Sequence, residues 1–228
     1  NEVFRILCCL TSELEAYSRE ISINIETMAL YDFLIAKGKY SRYIEGNMAE
    51  INTDNFIRIV EGRHPLLGKE AVPLNLTIGD DYRSLVITGP NTGGKTVVLK
   101  TVGLLTIMVQ CGLHVPVKEG SSFASFADIL ADIGDGQSIE QSLSTFSSHI
   151  KNIINILNCA DKHSLVILDE LGAGTDPGEG MGIAVAVLEE LYSKGVVMLA
   201  TTHYSEIKEF AAQTPGFKNG CMEFDINT

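Results

Sequence analysis

The sequence predicts an α/β fold with a mostly parallel sheet between flanking helices, and three runs of residues predict it. "SLVITG" (84–89), "SLVILDE" (164–170) and "GVVMLATTH" (195–203) are almost wholly apolar, rich in β-branched residues and bordered by helical stretches. Strands that are apolar at every position have both faces covered, which is the condition of a parallel sheet layered with helices. At 228 residues, 45% hydrophobic and 20% charged, the chain is long enough for one large domain with an appendage.

The elements follow in chain order. The first 37 residues contain neither Gly nor Pro. Their apolar residues recur at Val3, Leu7, Leu10, Leu14, Tyr17, Ile21, Met28, Tyr31 and Ile35, steps of three and four interrupted at Asn24. That spacing predicts one long helix with a narrow seam, reaching roughly 50 Å. Such a helix either packs along its own domain or serves as a lever or coiled-coil arm. The expected division is a helical piece over 1–50 and the α/β domain over 51–228. Within the latter, "FIRIV" (56–60) and "VPLNLTI" (72–78) alternate apolar with polar residues and predict a small antiparallel subdomain. "TVVLKTVGLLTIMVQ" predicts a helix ending at Gly112, and "SLSTFSSHIKNIINIL" a second, with Ile150, Ile153, Ile154 and Leu157 at helical spacing.

No run of about 18 apolar residues is present, and the first 20 residues mix Glu and Arg through their apolar positions. Neither a membrane span nor a signal peptide is expected, which places the protein in the cytoplasm. Five scattered cysteines form no C-x-x-C pair and read as buried or idle thiols of a reducing compartment. The chain begins on Asn1 and ends in "CMEFDINT", which reads as a strand without a closing turn, so a fragment of a longer protein is expected. With 17 basic against 29 acidic residues the net charge is -12, the wrong sign for a surface that neutralises phosphates. A nucleic-acid partner would therefore meet a locally basic patch or parts outside this chain.

"GPNTGGKT", Gly89 to Thr96, satisfies G-x-x-x-x-G-K-[ST] between a predicted strand and a predicted helix. Glycines let backbone N–H groups curl around a phosphate, and the helix N-terminus adds partial positive charge. The expected nucleotide contacts are Gly89, Pro90, Asn91, Thr92, Gly93, Gly94, Lys95, Thr96 and Val97. Lys95 would reach the β- and γ-oxygens and Thr96 would hold Mg²⁺. Asp169 and Glu170 end a buried strand at the edge where α/β sheets bind ligands. Asp169 suits Mg²⁺, and Glu170 suits the polarisation of an attacking water, although two acids could also simply cap a strand into solvent. His203 ends the third apolar run at the same edge. Ser144 and Thr145 stand at the hydroxyl-rich start of the second predicted helix. They are either an idle cap or a second anion site, whose natural ligand would be a nucleotide held by another subunit.

Taken together, "EGRHPLLG", "ITGPNTGGKT", "VPVKEGSSF", "SLSTFSSH", "LVILDELGAGTDPGEG" and "ATTHY", in this order, resemble the ATPase domain of the MutS family, and more narrowly its type-two bacterial branch. The resemblance covers about residues 56–228, and the long first helix resembles the lever that returns to the core domain. It implies an ABC-type P-loop ATPase using ATP and Mg²⁺, a homodimer with two composite sites, and a partner that is DNA or ribosomal RNA. In the type-two branch it implies recombination control or rescue of collided ribosomes, with a nuclease domain carried outside this segment. By the same resemblance Gly89–Thr96 is Walker A, Asp169 and Glu170 are Walker B, and His203 is the switch histidine. Ser144 and Thr145 reach the partner's γ-phosphate, and "LGAGTDPG" crosses the dimer interface. Val72 and Cys221 are the candidates for contact with the base. Mismatch-repair members usually read STFMxEM and carry Arg where Ala173 stands; here the chain reads "STFSSHI", with His149 in the acidic place. Three alternatives are a transporter motor, a chromosome-maintenance ATPase and a nucleotide sensor without turnover. The L-S-G-G-Q signature of the first is absent, and the 49 residues from Lys95 to Ser144 leave no room for the arm of the second. The presence of both Lys95 and Glu170 argues against the third.

Overall fold

The computed structural model describes residues 1–89, 93–134 and 142–222, with the side chains of residues 142–145 and 205 outside that description. The chain divides into two compact units, Asn1–Tyr43 and Ile44–Thr228.

The first unit is helical: α1 spans Glu2–Glu15 and α2 spans Ser18–Tyr43. The single helix expected over 1–37 is thus two, and the second continues through Gly38. At the break the Tyr17 N–H bonds the Leu14 carbonyl at 2.9 Å, a closure one residue shorter than an α-turn that ends the ladder of α1. The new helix opens on Ser18, a residue type that favours helix starts over helix interiors. Neither helix buries a residue, so the seam of Val3, Leu7, Leu10 and Leu14 is exposed.

The second unit contains β1 (Glu50–Asn52), β2 (Ile57–Gly62), β3 (Leu74–Ile78), β4 (Ser84–Thr88), α3 (Lys95–Gln110), β5 (Ser122–Ala124), β6 (Asp128–Asp132), α4 (Ser142–Cys159), β7 (Ser164–Leu168), α5 (Pro177–Ser193), β8 (Val197–Thr202), α6 (Ser205–Gln213) and β9 (Phe217–Cys221). A four-stranded sheet of order β1-β5-β2-β3 holds the antiparallel pair β2–β3 that the alternation predicts, with Ile57 and Ile59 buried and Arg58 exposed between them. The larger sheet has order β6-β7-β8-β4-β9, and every neighbouring pair is parallel.

Its core strands are almost wholly apolar because both faces are covered. On one side Val166, Leu168, Met198 and Ala200 pack with Ile156, Leu188, Leu191 and Ile207 from α4, α5 and α6. On the other, Ile167 presses on α3 so closely that a Cβ at Gly103 would come within 2.8 Å of its Cδ1. The register pairs Thr88 with Thr202 and Leu168 with Ala200, so β4 and β8 end together and β7 ends within two residues of them. The segments carrying Gly89, Asp169 and His203 leave from this one edge, the ligand edge of open α/β sheets. β9 ends at Cys221, and residues 223–228, which include most of the expected terminal strand, lie outside the described residues.

Among the described residues no helix is long and apolar enough to cross a membrane. The five cysteines are free and exposed, so of the expected buried or idle thiols the buried alternative is corrected. Cys8 and Cys9 lie on α1, which buries no residue, and Cys111, Cys159 and Cys221 lie at the ends of α3, α4 and β9.

Candidate functional site

The predicted phosphate loop leaves β4 at Gly89 and ends on Gly94, which caps α3 in the left-handed region at φ 77°, where a side chain would be strained. Lys95, the first residue of α3, is 2% exposed. Its ammonium bonds the Gly89 carbonyl at 2.5 Å and lies 3.3 Å from Nδ1 of His203. Burial pulls the Lys95 pKa below the usual lysine range, and the charges of Glu170 and Asp169 oppose that shift only in part. Thr96 is half-buried and Val97 is 42% exposed beside it. Pro90, Asn91 and Thr92 lie outside the described residues.

His203 continues the chain of contacts, with Nε2 3.3 Å from Oε1 of Glu170. A lysine ammonium only donates, so Nδ1 accepts from it, which leaves the ring proton on Nε2 to be donated to the Glu170 carboxylate. One imidazole tautomer therefore satisfies both neighbours and joins Lys95 to Glu170. Glu170 itself sits at φ 49°, in the left-handed region, which costs a residue with a side chain about 1–3 kcal/mol unless its surroundings hold it there.

What holds it is the end of β8. The buried Thr201 hydroxyl donates to Oδ1 of Asp169 at 2.5 Å and accepts the Glu170 N–H at 2.8 Å. The Thr201 carbonyl accepts the Leu171 N–H at 2.9 Å. Tyr204 Oη then donates to the Gly172 carbonyl at 3.0 Å. Gly172 lies at φ 86°, and a Cβ there would stand 2.4 Å from the Gly180 carbonyl of α5, so nothing larger fits. The first turn of α5 is fixed in turn by Asp176, which accepts the Gly178 N–H at 2.9 Å.

α4 is tied to the same edge through Asp132, a buried carboxylate at the end of β6. Its oxygens meet His149 Nδ1 and Asn152 Nδ2, each at 2.8 Å, and its carbonyl accepts the Asp169 N–H at 2.8 Å. His149 thus faces a carboxylate, which an acid in its place would repel. A cavity of about 230 Å³ lies between α4 and the segment after β7, lined by Phe146, His149, Glu170 and Gly174 among others.

Of the residues expected from sequence, the structure gathers Gly89, Lys95, Asp169, Glu170 and His203. The backbone of Ser144 and Thr145 lies in the first turn of α4, not before it, and their side chains lie outside the described residues. Cys221 is exposed at the end of β9, in register with Thr88 beside the loop. Val72, before β3, is 71% exposed. Sequence reading passed over Thr201, Tyr204 and Asp132. A signal existed for the first: "ATTH" puts two hydroxyls into a fully buried strand, where each needs a partner.

The donor set near Lys95 fits Mg²⁺. Thr96 and Asp169 offer hard oxygen donors, and this ion completes its shell with water and substrate phosphates rather than a protein cage. Among the described residues no cluster of three or more His, Cys, Asp or Glu could hold a metal alone.

Residues 85–228 match the family described as MutS domain V. The whole chain is 52% identical to an Endonuclease MutS2 of Halothermothrix orenii. It is 50% identical to the Endonuclease MutS2 of Halalkalibacterium halodurans and to that of Geobacillus thermodenitrificans. It spans 29% of the length of each of these curated relatives. A match that starts in β4 and takes in every element of the parallel sheet but the first residue of that strand is the same stretch that builds the Lys95–His203–Glu170 edge, and the chain belongs to the MutS domain V family, among relatives of the MutS2 type.

Proposed function

We propose that this chain is the ABC-type ATPase domain of a MutS-like protein, hydrolysing ATP with Mg²⁺ in a homodimer and using closure of that dimer to act on DNA structures or stalled ribosomes. The observation that carries the reading is the hydrogen-bonded line from Lys95 through His203 to Glu170 at the carboxyl edge of the sheet.

Each group in that line has a task in phosphoryl transfer to water. Lys95 gives up the Gly89 carbonyl for the β- and γ-oxygens of ATP, an anionic partner that offsets the burial of its charge. Glu170, held at one end by the His203 Nε2–H, accepts the proton of the attacking water. His203 then stands between the leaving phosphate and the base. Thr96 and Asp169 would hold Mg²⁺, which when bound neutralises charge developing on the phosphate oxygens. Ser144 and Thr145, at the start of α4, would approach the γ-phosphate bound to a second copy, and residues 171–178 would cross between the copies. Val72 and Cys221 remain the candidates for the nucleoside end, and Val97 for the end of the phosphate loop. With a net charge of -12, nucleic acid is expected to contact regions of the parent protein beyond this chain, in keeping with the endonuclease named among its relatives.

Glu170→Gln tests the reading. The amide keeps the shape and the hydrogen bond to His203 but is no base, so ATP affinity is expected within about threefold of wild type while turnover falls about 10²–10⁴-fold. Wild-type turnover in that variant would remove Glu170 from the chemistry.

A further inference from the structure

Every other side chain of β8 before Thr201 is apolar and buried, and Thr201 is 0% exposed. Packing alone asks only for a β-branched side chain of this volume, which valine supplies without a polar atom. The hydroxyl is therefore present for its bonds. It has two, and they fall on consecutive residues: the Glu170 N–H at 2.8 Å and the Asp169 carboxylate at 2.5 Å. The direction of both is settled by chemistry. A backbone N–H can only donate, so it occupies a lone pair on Oγ1, and a carboxylate can only accept, so it takes the single hydroxyl proton.

We propose that Thr201 is a positioning residue for the metal and the base, fixing through one hydroxyl which oxygen of Asp169 faces Mg²⁺ and where the Glu170 carboxylate points. Binding Oδ1 turns the Asp169 carboxyl so that Oδ2, which carries the freer charge, is the oxygen left for the metal. Accepting the Glu170 N–H holds that residue in its left-handed backbone, the conformation that brings Oε1 to His203. Without the hydroxyl both constraints go at once, while Lys95 and the phosphate loop, on β4 and α3, keep their own bonds. The inference rests on the ATPase reading for the reaction, but its metal-site half can be measured without turnover.

The experiment uses the full-length protein carrying Thr201→Val or Thr201→Ser, with affinity for a non-hydrolysable ATP analogue measured without metal and across an Mg²⁺ titration, beside steady-state turnover. T201V should bind the analogue without metal as wild type does, and need about tenfold more Mg²⁺ for its metal-dependent gain in affinity. Its kcat should fall about tenfold or more with KM for ATP little changed. T201S, which restores the hydroxyl and lacks only the methyl, should return both quantities to within about threefold of wild type. Wild-type Mg²⁺ dependence in T201V, or equal damage in T201V and T201S, overturns the proposal. If T201V does not fold, Thr201→Cys, similar in size with a weak donor, is read against the same outcomes. Absence of turnover in the wild type would sink the hydrolysis reading, while the Mg²⁺ titration would still judge Thr201.

Discussion

Lys95 is a cation that the ligand-free fold tolerates at a cost, because burial outweighs the attraction of Asp169 and Glu170 and lowers its pKa. A group whose folded pKa is lowered in this way destabilises the fold while it is charged, and the penalty fades as pH rises past the folded value toward the unfolded one. Lys95→Met should therefore abolish ATP binding and at the same time raise the ligand-free thermal midpoint at pH 7 by roughly 2–4 °C. A lower midpoint would mean that the bond to Gly89 outweighs the buried charge. The same residue scale shows what a sequence discloses. Lys95, Asp169, Glu170 and His203 were legible because a phosphate loop and two strand ends fix where they emerge. Thr201 and Asp132 were not, because their roles depend on which strand lies beside which, and parallel neighbours such as β7 and β8 are separated in the chain by a whole helix.

At the scale of elements, the segment after β7 is locked to α5 and to the residue after His203 by contacts too close for any side chain. Gly172→Ala combines a strained φ of 86° with a Cβ 2.4 Å from the Gly180 carbonyl. It should destabilise the protein by about 3 kcal/mol or more, seen as a lowered denaturation midpoint with an unchanged slope in urea. Stability within about 0.5 kcal/mol of wild type would show that the turn relaxes freely. The three central strands were readable as continuous apolar runs, and β2 and β3 as alternating ones. The edge strands β6 and β9 were not. "DILAD" and "FKNGC" carry charges, an amide or a glycine, since an edge strand needs less apolar surface, and their pairing is non-local. The break at Ala16–Tyr17 left no mark either, because no glycine or proline makes it. The start of α4 fell earlier than its hydroxyls suggested, which puts Ser144 and Thr145 inside the first turn.

For the molecule as a whole, the proposed chemistry is divided between two chains. Lys95, Asp169, Glu170 and His203 come together within one copy. Ser144 and Thr145 belong to a helix anchored through His149 and Asn152 to the end of β6, which has β7 and β8 between it and β4 in the sheet order. In the proposed dimer, tight anchoring of α4 would give a second copy a fixed surface to close on, tied to Asp169 through the Asp132 carbonyl. The most direct measurement is ATP turnover per chain in the full-length protein as its concentration is raised. If the site is completed by a second copy, turnover per chain rises with concentration and then levels off, and Glu170→Gln accumulates an ATP-bound dimer. Turnover per chain that stays constant down to concentrations at which the protein sediments as a monomer would contradict the composite site.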